Sequence, residues 1–173
     1  INPEGGALKF NKKIFAKTEM FSTLGVFVID EGSSGADPTM YVAQSGLKQK
    51  LTDTISVKGA VSYYGFSGVK GKKLDGTTST NTNVSGNLKY NYKNIVPAVE
   101  VAIKDPLKVL NIDVPYFALF GEYVNNVESA VKNDNTGYML GFKFGAEKVA
   151  KWADWQFRYN YAKYGKDAIL DIL

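Results

Sequence analysis

The chain has 173 residues, no cysteine and no histidine, and a formal net charge of +4 with a pI of about 9.0. Without Cys there are no disulfides, thiol nucleophiles or thiolate metal sites; without His, Ser-His-Asp and Cys-His catalysis and the usual zinc or iron ligands are excluded. Lysines run along the whole chain instead of forming one stripe, so no nucleic-acid surface is indicated. Neither a cofactor nor a metal site is expected, and no enzyme chemistry stands out.

Hydrophobic residues make up 45% of the chain, yet the mean hydropathy is −0.18, so apolar residues are dispersed. The longest apolar runs, Val26–Ile29 and Tyr116–Phe120, fall far short of the roughly 20 residues of a membrane helix. Aromatic residues reach 13%, which suits the interfacial girdles of a membrane barrel and equally a sugar-binding sheet. The sequence begins at Ile1 with no leader pattern, which suits a processed chain or an internal piece.

In chain order, Asn2-Pro3-Glu4-Gly5-Gly6 is turn chemistry, Ala7 to Phe10 reads as a short strand, and Lys12, Lys13 and Lys17 surround a polar bend. Residues 21–31 read as a strand with apolar groups on both parities, which leaves its orientation open. A Gly/Ser/Asp loop follows to Pro38. Its carboxylates Asp30, Glu31 and Asp37 match no calcium-loop spacing, so it reads as solvated. Strands are expected over 39–50 and 55–66, the second with Ile55, Val57, Val61 and Tyr63 opposite Ser56, Lys58, Ala60 and Ser62. Residues 67–82 form a Gly/Lys/Ser/Thr/Asn loop, expected to lie solvated at a rim, with inward folding as the alternative.

Residues 83–93 show regular alternation, with Val84, Leu88, Tyr90 and Tyr92 opposite Asn87, Lys89 and Asn91, and read as a further strand. The next spans 95–104, where Pro97 predicts a late start or a bulge. Strands at 115–125 and 136–146 follow. From Asp154, polar Asp154, Gln156, Arg158 and Asn160 alternate with Trp155, Phe157, Tyr159 and Tyr161 without a slip. Ala168, Leu170 and Ile172 suggest another apolar row, in which Asp167 and Asp171 would stand on one face about 13 Å apart. That is too far for a glycosidase carboxylate pair.

This predicts an all-β fold: an antiparallel up-and-down transmembrane β-barrel, or a partial barrel of about 8–10 strands, in a single region over residues 1–173. Short and long connections should alternate between the two ends. With 83–93 counted as a strand, the short 147–153 connection and the ten-residue 126–135 connection fall on the wrong ends, which points to a miscount, placed between 93 and 115.

If the aromatic faces meet lipid, Tyr90, Tyr92, Phe142 and Phe144 face outward together with Trp155, Phe157, Tyr159 and Tyr161. The opposite face then lines a pore with Lys58, Lys89, Glu100 and Glu122, followed by Lys143, Asp154 and Arg158. Cations outnumber carboxylates there, so either a weak anion preference results or the carboxylates neutralise neighbouring lysines across strands.

Several segments carry a family resemblance. These are Pro115–Asn126, Trp155-x-Phe157-x-Tyr159-x-Tyr161 and Lys166-Asp167-Ala168-x-Leu170-Asp171, with Asn2-Pro3-Glu4-Gly5, Phe27–Glu31 with Asp37-Pro38, and Val61-Ser62-Tyr63-Tyr64. Together they resemble the putative-porin family of Gram-negative outer membranes. The resemblance implies an outer-membrane β-barrel passing small hydrophilic solutes, with lipid and solute as partners, no nucleic acid, and room for a homo-oligomer. The family continues past the Lys166-Asp167-Ala168 segment into an acidic loop and further strands, so the chain is expected to be about half of a larger barrel. Two other readings stay open: a soluble or surface β-sheet binding protein with a sugar-stacking face, and a structural outer-membrane barrel with a plugged lumen.

Overall fold

The computed structural model describes residues 4–30, 37–74 and 80–171. The Asn2-Pro3 turn, the 31–36 part of the Gly/Ser loop with Glu31, the centre of the 67–82 loop and Ile172 lie outside the described residues. Among the described residues ten strands form: β1 (Glu4–Phe15), β2 (Thr18–Val28), β3 (Thr39–Lys50), β4 (Ile55–Ser67), β5 (Asn83–Val84), β6 (Asn87–Leu88), β7 (Lys93–Lys104), β8 (Tyr116–Asn126), β9 (Thr136–Gly145) and β10 (Gln156–Tyr164). Eight of them make one antiparallel sheet in the order β1-β2-β3-β4-β7-β8-β9-β10, and β5-β6 is a separate hairpin. The expected all-β, up-and-down architecture is therefore present, as a partial barrel: β1 and β10 are the two ends of the sheet and are not paired with each other.

The sheet is nonetheless strongly curled. Lys48 on β3 reaches Glu147, just past β9, at 3.5 Å, and one cavity is lined from Gln44 on β3 to Arg158 on β10. Register fixes which side chains enter this concave face, because residues directly opposite in an antiparallel pair share a face. Lys58 stands opposite Glu100, Glu100 opposite Phe120 and Phe120 opposite Gly141. On the other face Val61, Val99, Leu119, Leu140 and Tyr159 are each at least half exposed, although all are apolar or aromatic.

The disputed segment resolves at 83–93. It is not a barrel strand, because Ser85 and Gly86 both take positive φ (53° and 85°) and turn the chain back into the β5-β6 hairpin. Such a two-residue turn needs left-handed backbone at both positions, which Ser-Gly supplies. The miscount thus lies in 83–93 and not between 93 and 115. With one connection over 68–92, the linkers 29–38, 68–92 and 127–135 share one end of the sheet; strict short-and-long alternation still fails, because 105–115 and 146–155 on the other end are at least as long as 29–38 and 127–135. The tight turns 16–17 and 51–54 share the other with 105–115 and 146–155.

Three boundaries also differ from expectation. The first strand runs the full Glu4–Phe15 and not only Ala7 to Phe10, while the bend expected between Lys12-Lys13 and Lys17 is present as a register shift between Lys13 and Phe15 and the turn at Ala16-Lys17. Pro97 produces neither a late start nor a bulge: it sits opposite Val61, and the only effect is a gap in the β7–β8 ladder between Ile95↔Asn125 and Ala98↔Glu122, with the register unshifted. Residues 166–171 form a turn and not an apolar strand.

Inner-face rings lie against glycines of the next strand. Phe21 faces Gly46, and Phe120 faces Gly141. A Cβ on Gly141 would stand 2.5 Å from Phe120 Cζ and 2.5 Å from Tyr159 O, whereas nothing lies within 4 Å of a Cβ on Gly59. Overpacking of this kind costs about 1–3 kcal/mol. Gly141→Ala is therefore expected to lower the denaturant midpoint of the folded protein in detergent by that amount, while Gly59→Ala leaves it unchanged or raises it. Equal midpoints for the two variants would contradict the packing described.

Candidate functional site

Two arrangements occupy the concave face. The first is a charged belt across its middle. Lys143 on β9 reaches over β8, past the fully buried Ala118, to pair with Glu100 on β7 at 2.9 Å. Tyr116 Oη donates to the other oxygen of Glu100 at 3.1 Å. Two further cations sit over rings: Lys58 Nζ lies 4.6 Å from the Phe21 centroid, and the Arg158 guanidinium 4.5 Å from that of Phe120. Arg158 Nε also donates to Asn160 Oδ1 at 3.2 Å. Glu122 accepts from Tyr164 Oη at 3.2 Å. Among the described residues no carboxylate oxygen lies within 4 Å of Lys58 or Arg158.

Five of the residues expected to line a pore, Lys58, Glu100, Glu122, Lys143 and Arg158, thus border one cavity of about 190 Å³. The other two do not reach it. Lys89 belongs to the 68–92 connection and lies over the Tyr90 ring at 5.1 Å. Asp154 precedes β10 and accepts backbone N–H groups of Ala150 and Lys151 at 3.0 and 2.8 Å, which hold its carboxyl below the usual range. Of the cross-strand neutralisation expected for the carboxylates, only Glu100 shows a lysine partner; Glu122 has a phenol and Asp154 has backbone amides.

The second arrangement is a cap at the end bearing the long linkers. Residues from 68–92 and 165–171 fold onto the inner face, where Val69, Leu74, Leu88, Tyr92 and Leu170 bury themselves against Ile29, Met40 and Phe66. Over its described part the 67–82 loop is mixed: Val69, Leu74 and Asn81 are buried against the inner face, while Ser67, Gly68, Lys70, Gly71, Lys73 and Thr80 are exposed as expected of a solvated rim. Three asparagine amides clasp the 166–169 turn: Asn81 Nδ2 donates to Lys166 O and Ile169 O at 2.7 and 2.8 Å, Asn94 to Ala168 O, and Asn126 to Asp167 O at 2.8 Å. Asp167 accepts from Thr82 N, Thr82 Oγ1 and Tyr92 Oη at 2.8, 2.6 and 3.0 Å. Asp171 takes Thr80 Oγ1 and the backbone N–H groups of Thr80 and Asn81. The two carboxylates are thus bound to adjacent residues of one segment and do not stand apart on an extended strand.

The eight aromatics expected on one outer face divide accordingly. Phe142, Phe144, Phe157 and Tyr159 form a continuous outer cluster with ring centroids 5.2–6.3 Å apart. Trp155 meets Phe144 edge-on at 5.7 Å, and Tyr161 lies beside Tyr138 at 6.3 Å. Tyr92 is instead fully buried in the cap, and Tyr90 packs against the same core. Both belong to the segment that turns at Ser85-Gly86, so neither has an outer face to occupy. Burial, with the Asp167 carboxylate beside it, pushes the Tyr92 hydroxyl well above its ordinary range.

The cap was the part that the sequence reading missed. One signal could have pointed to it: Asn126 ends one of the family-like segments, Asp167 is the second residue of another, and here they touch. Among the described residues no group of His, Cys, Asp and Glu could hold a metal ion, and no helix is long and apolar enough to cross a membrane.

Removing the Asn81 side chain, itself fully buried, takes one hydrogen-bond partner from each of the Lys166 and Ile169 carbonyls and from the Asp171 N–H. Asn81→Ala is expected to destabilise the folded protein by at least about 2 kcal/mol and to expose the 166–169 turn to proteolysis. Wild-type stability and an uncut turn would refute this role. Glu128, at 3.1 Å from Lys93 Nζ, is held below its ordinary range by that hydrogen bond. Because the folded value is depressed, its contribution is present above the unfolded carboxyl range and is lost as pH falls through the folded value. Carboxyl NMR is expected to show Glu128 titrating below the ordinary glutamate range, and Lys93→Met to raise it; an unchanged titration would contradict the pairing.

No curated protein and no solved structure matches the chain. A family description, putative porin, matches residues 1–95, which takes in β1 to β6 and the start of β7. That is more than half of the 173 residues, and it agrees with the resemblance carried by Asn2–Gly5, Phe27–Glu31 and Val61–Tyr64. With an open antiparallel sheet, a charged concave face and an aromatic outer one, the chain belongs to the putative porin family.

Proposed function

We propose that this chain forms part of an outer-membrane channel through which small hydrophilic solutes diffuse passively, and that it is not an enzyme. The observation that carries the reading is the outer face. From Leu8 on β1 to Tyr159 and Tyr161 on β10, apolar and aromatic side chains stand half exposed on every strand of the eight-stranded sheet. In water so large an apolar surface would drive aggregation, whereas in hydrocarbon it is the required solvent-facing side. Strands of 9–13 residues, at about 3.3 Å per residue and tilted about 40°, match the apolar band of an outer membrane. Lipid is then the partner of one face and water with its solutes the partner of the other.

A second reading has one observation in its favour. The cap fills part of the concave face with packed side chains, as a structural barrel with a plugged lumen would require.

Detergent dependence and conductance separate these readings. The protein is expected to need detergent or lipid to stay dispersed, which would exclude the soluble sheet-binding alternative. In planar bilayers it should give discrete conductance steps. A correctly inserted but silent protein would favour the plugged barrel and sink the channel. In a salt gradient the reversal potential should show a weak anion preference, because no carboxylate oxygen among the described residues lies within 4 Å of Lys58 or Arg158 whereas Lys143 is paired; cation preference would overturn it.

A further inference from the structure

The belt does more than impose a diffuse field, because its charges are not equally committed. Glu100 is occupied by Lys143 and Tyr116, and Glu122 by Tyr164. Lys58 and Arg158 are held by rings, which orient a cation without neutralising it. Arg158 uses Nε toward Asn160 and leaves its terminal nitrogens without a hydrogen bond among the described residues. Those nitrogens are the fork that fits a carboxylate. Both cations border the same cavity, whose neighbouring surface is small and apolar: Ala60, Ala98 and Met139. Those three lie in one cross-strand row with Glu122, since Ala60 faces Ala98, Ala98 faces Glu122 and Glu122 faces Met139. At about 190 Å³ the space is smaller than the roughly 300 Å³ from which drug-sized ligand pockets begin.

Building on the channel reading above, we propose that this cavity is a binding subsite for a small organic monocarboxylate, its carboxylate taken by Lys58 and Arg158 and its apolar body lying on Ala60, Ala98 and Met139. Glu122, which stands between Ala98 and Met139 in that row, repels a second carboxylate and selects against diacids. The site thus holds one charge and one short apolar body. Binding weakens as salt rises, because both cations remain open to water.

The test uses the full chain folded in detergent micelles, with benzoate as probe and calorimetry or ligand-observed NMR as readout. Benzoate should bind at least about tenfold more tightly than uncharged benzyl alcohol and more tightly than the diacid phthalate. Lys58→Gln and Arg158→Gln should each weaken benzoate about tenfold, Arg158→Lys should fall between, and Lys132→Gln, on the exposed 127–135 linker, should have no effect. If the glutamine variants fail to fold, the comparison of acid, alcohol and diacid on the wild-type protein decides alone. Equal binding of acid and alcohol, tighter binding of the diacid, or full binding by the folded Lys58→Gln and Arg158→Gln variants would overturn the subsite. Conductance in bilayers without benzoate binding would do the same while leaving the channel standing; benzoate binding by a protein that never conducts would keep the subsite and remove the channel.

Discussion

On the inner face, a phenyl ring standing against a glycine is what allows a curled sheet to carry charge without filling its own interior. At Phe21 over Gly46 and at Phe120 over Gly141 the neighbouring strand contributes no side chain, so the ring settles toward the backbone and offers its face to a cation. Lys58 and Arg158 then use those surfaces. Were the glycines replaced by larger residues, the rings would be driven into the space between strands and the two cations would lose their seats. The volume of the belt, the orientation of its charges and the curl of the sheet therefore share one requirement, met by backbone where side chains would otherwise be.

The two ways of holding a cation here differ in consequence. An ion pair such as Lys143–Glu100 cancels charge and also consumes the acceptor, and in a partly buried setting the desolvation of both ions offsets much of the attraction. A ring contact is worth less, about 0.5–1 kcal/mol where water has access, but leaves the full positive charge facing the cavity. Placing one ion pair at the centre and a ring-held cation to each side makes the middle of the belt rigid and its flanks electrostatically active. At the cap the opposite economy applies. Asp167 is buried and is satisfied by a backbone amide, a hydroxyl and a phenol, so its role is to order the chain around it.

How much of this was readable beforehand follows from the range of the interactions. Strands β4, β9 and β10 were visible because period-two alternation is local and each faces different surroundings on its two sides. Segment 83–93 had the same alternation and misled, since two left-handed residues at Ser85-Gly86 reverse the chain without disturbing the pattern. Apolar residues on both parities of β2 left its orientation open for a related reason: Leu24 and Val26 face outward, while Phe21 and Phe27 lie on inner-face glycines 46 and 5. Only the register between strands reveals that. The pairing of Glu100 with Lys143 was likewise hidden, because the two strands are not neighbours and Ala118 of β8 lies between them.

The same logic explains how a cap made of loops buries its polar groups, with Asn94 Oδ1 the one buried side-chain oxygen left without a hydrogen bond among the described residues. Loops usually remain at the surface because buried backbone groups need partners that irregular structure does not supply. Here asparagine supplies them: one side-chain amide both donates and accepts, so Asn81 can serve two carbonyls and an N–H of the 166–171 turn at once. Asn94 and Asn126 sit at the ends of β7 and β8, where the ladder has just stopped, and carry its hydrogen bonding onward into the turn. A glutamate at these positions would add a third carboxylate beside Asp167 and Asp171, and a leucine would leave the carbonyls bare. The end of the sheet is closed by amides for the reason its middle is lined by ring-held cations: at each level the side chain is the one that satisfies the backbone without occupying the space beyond it.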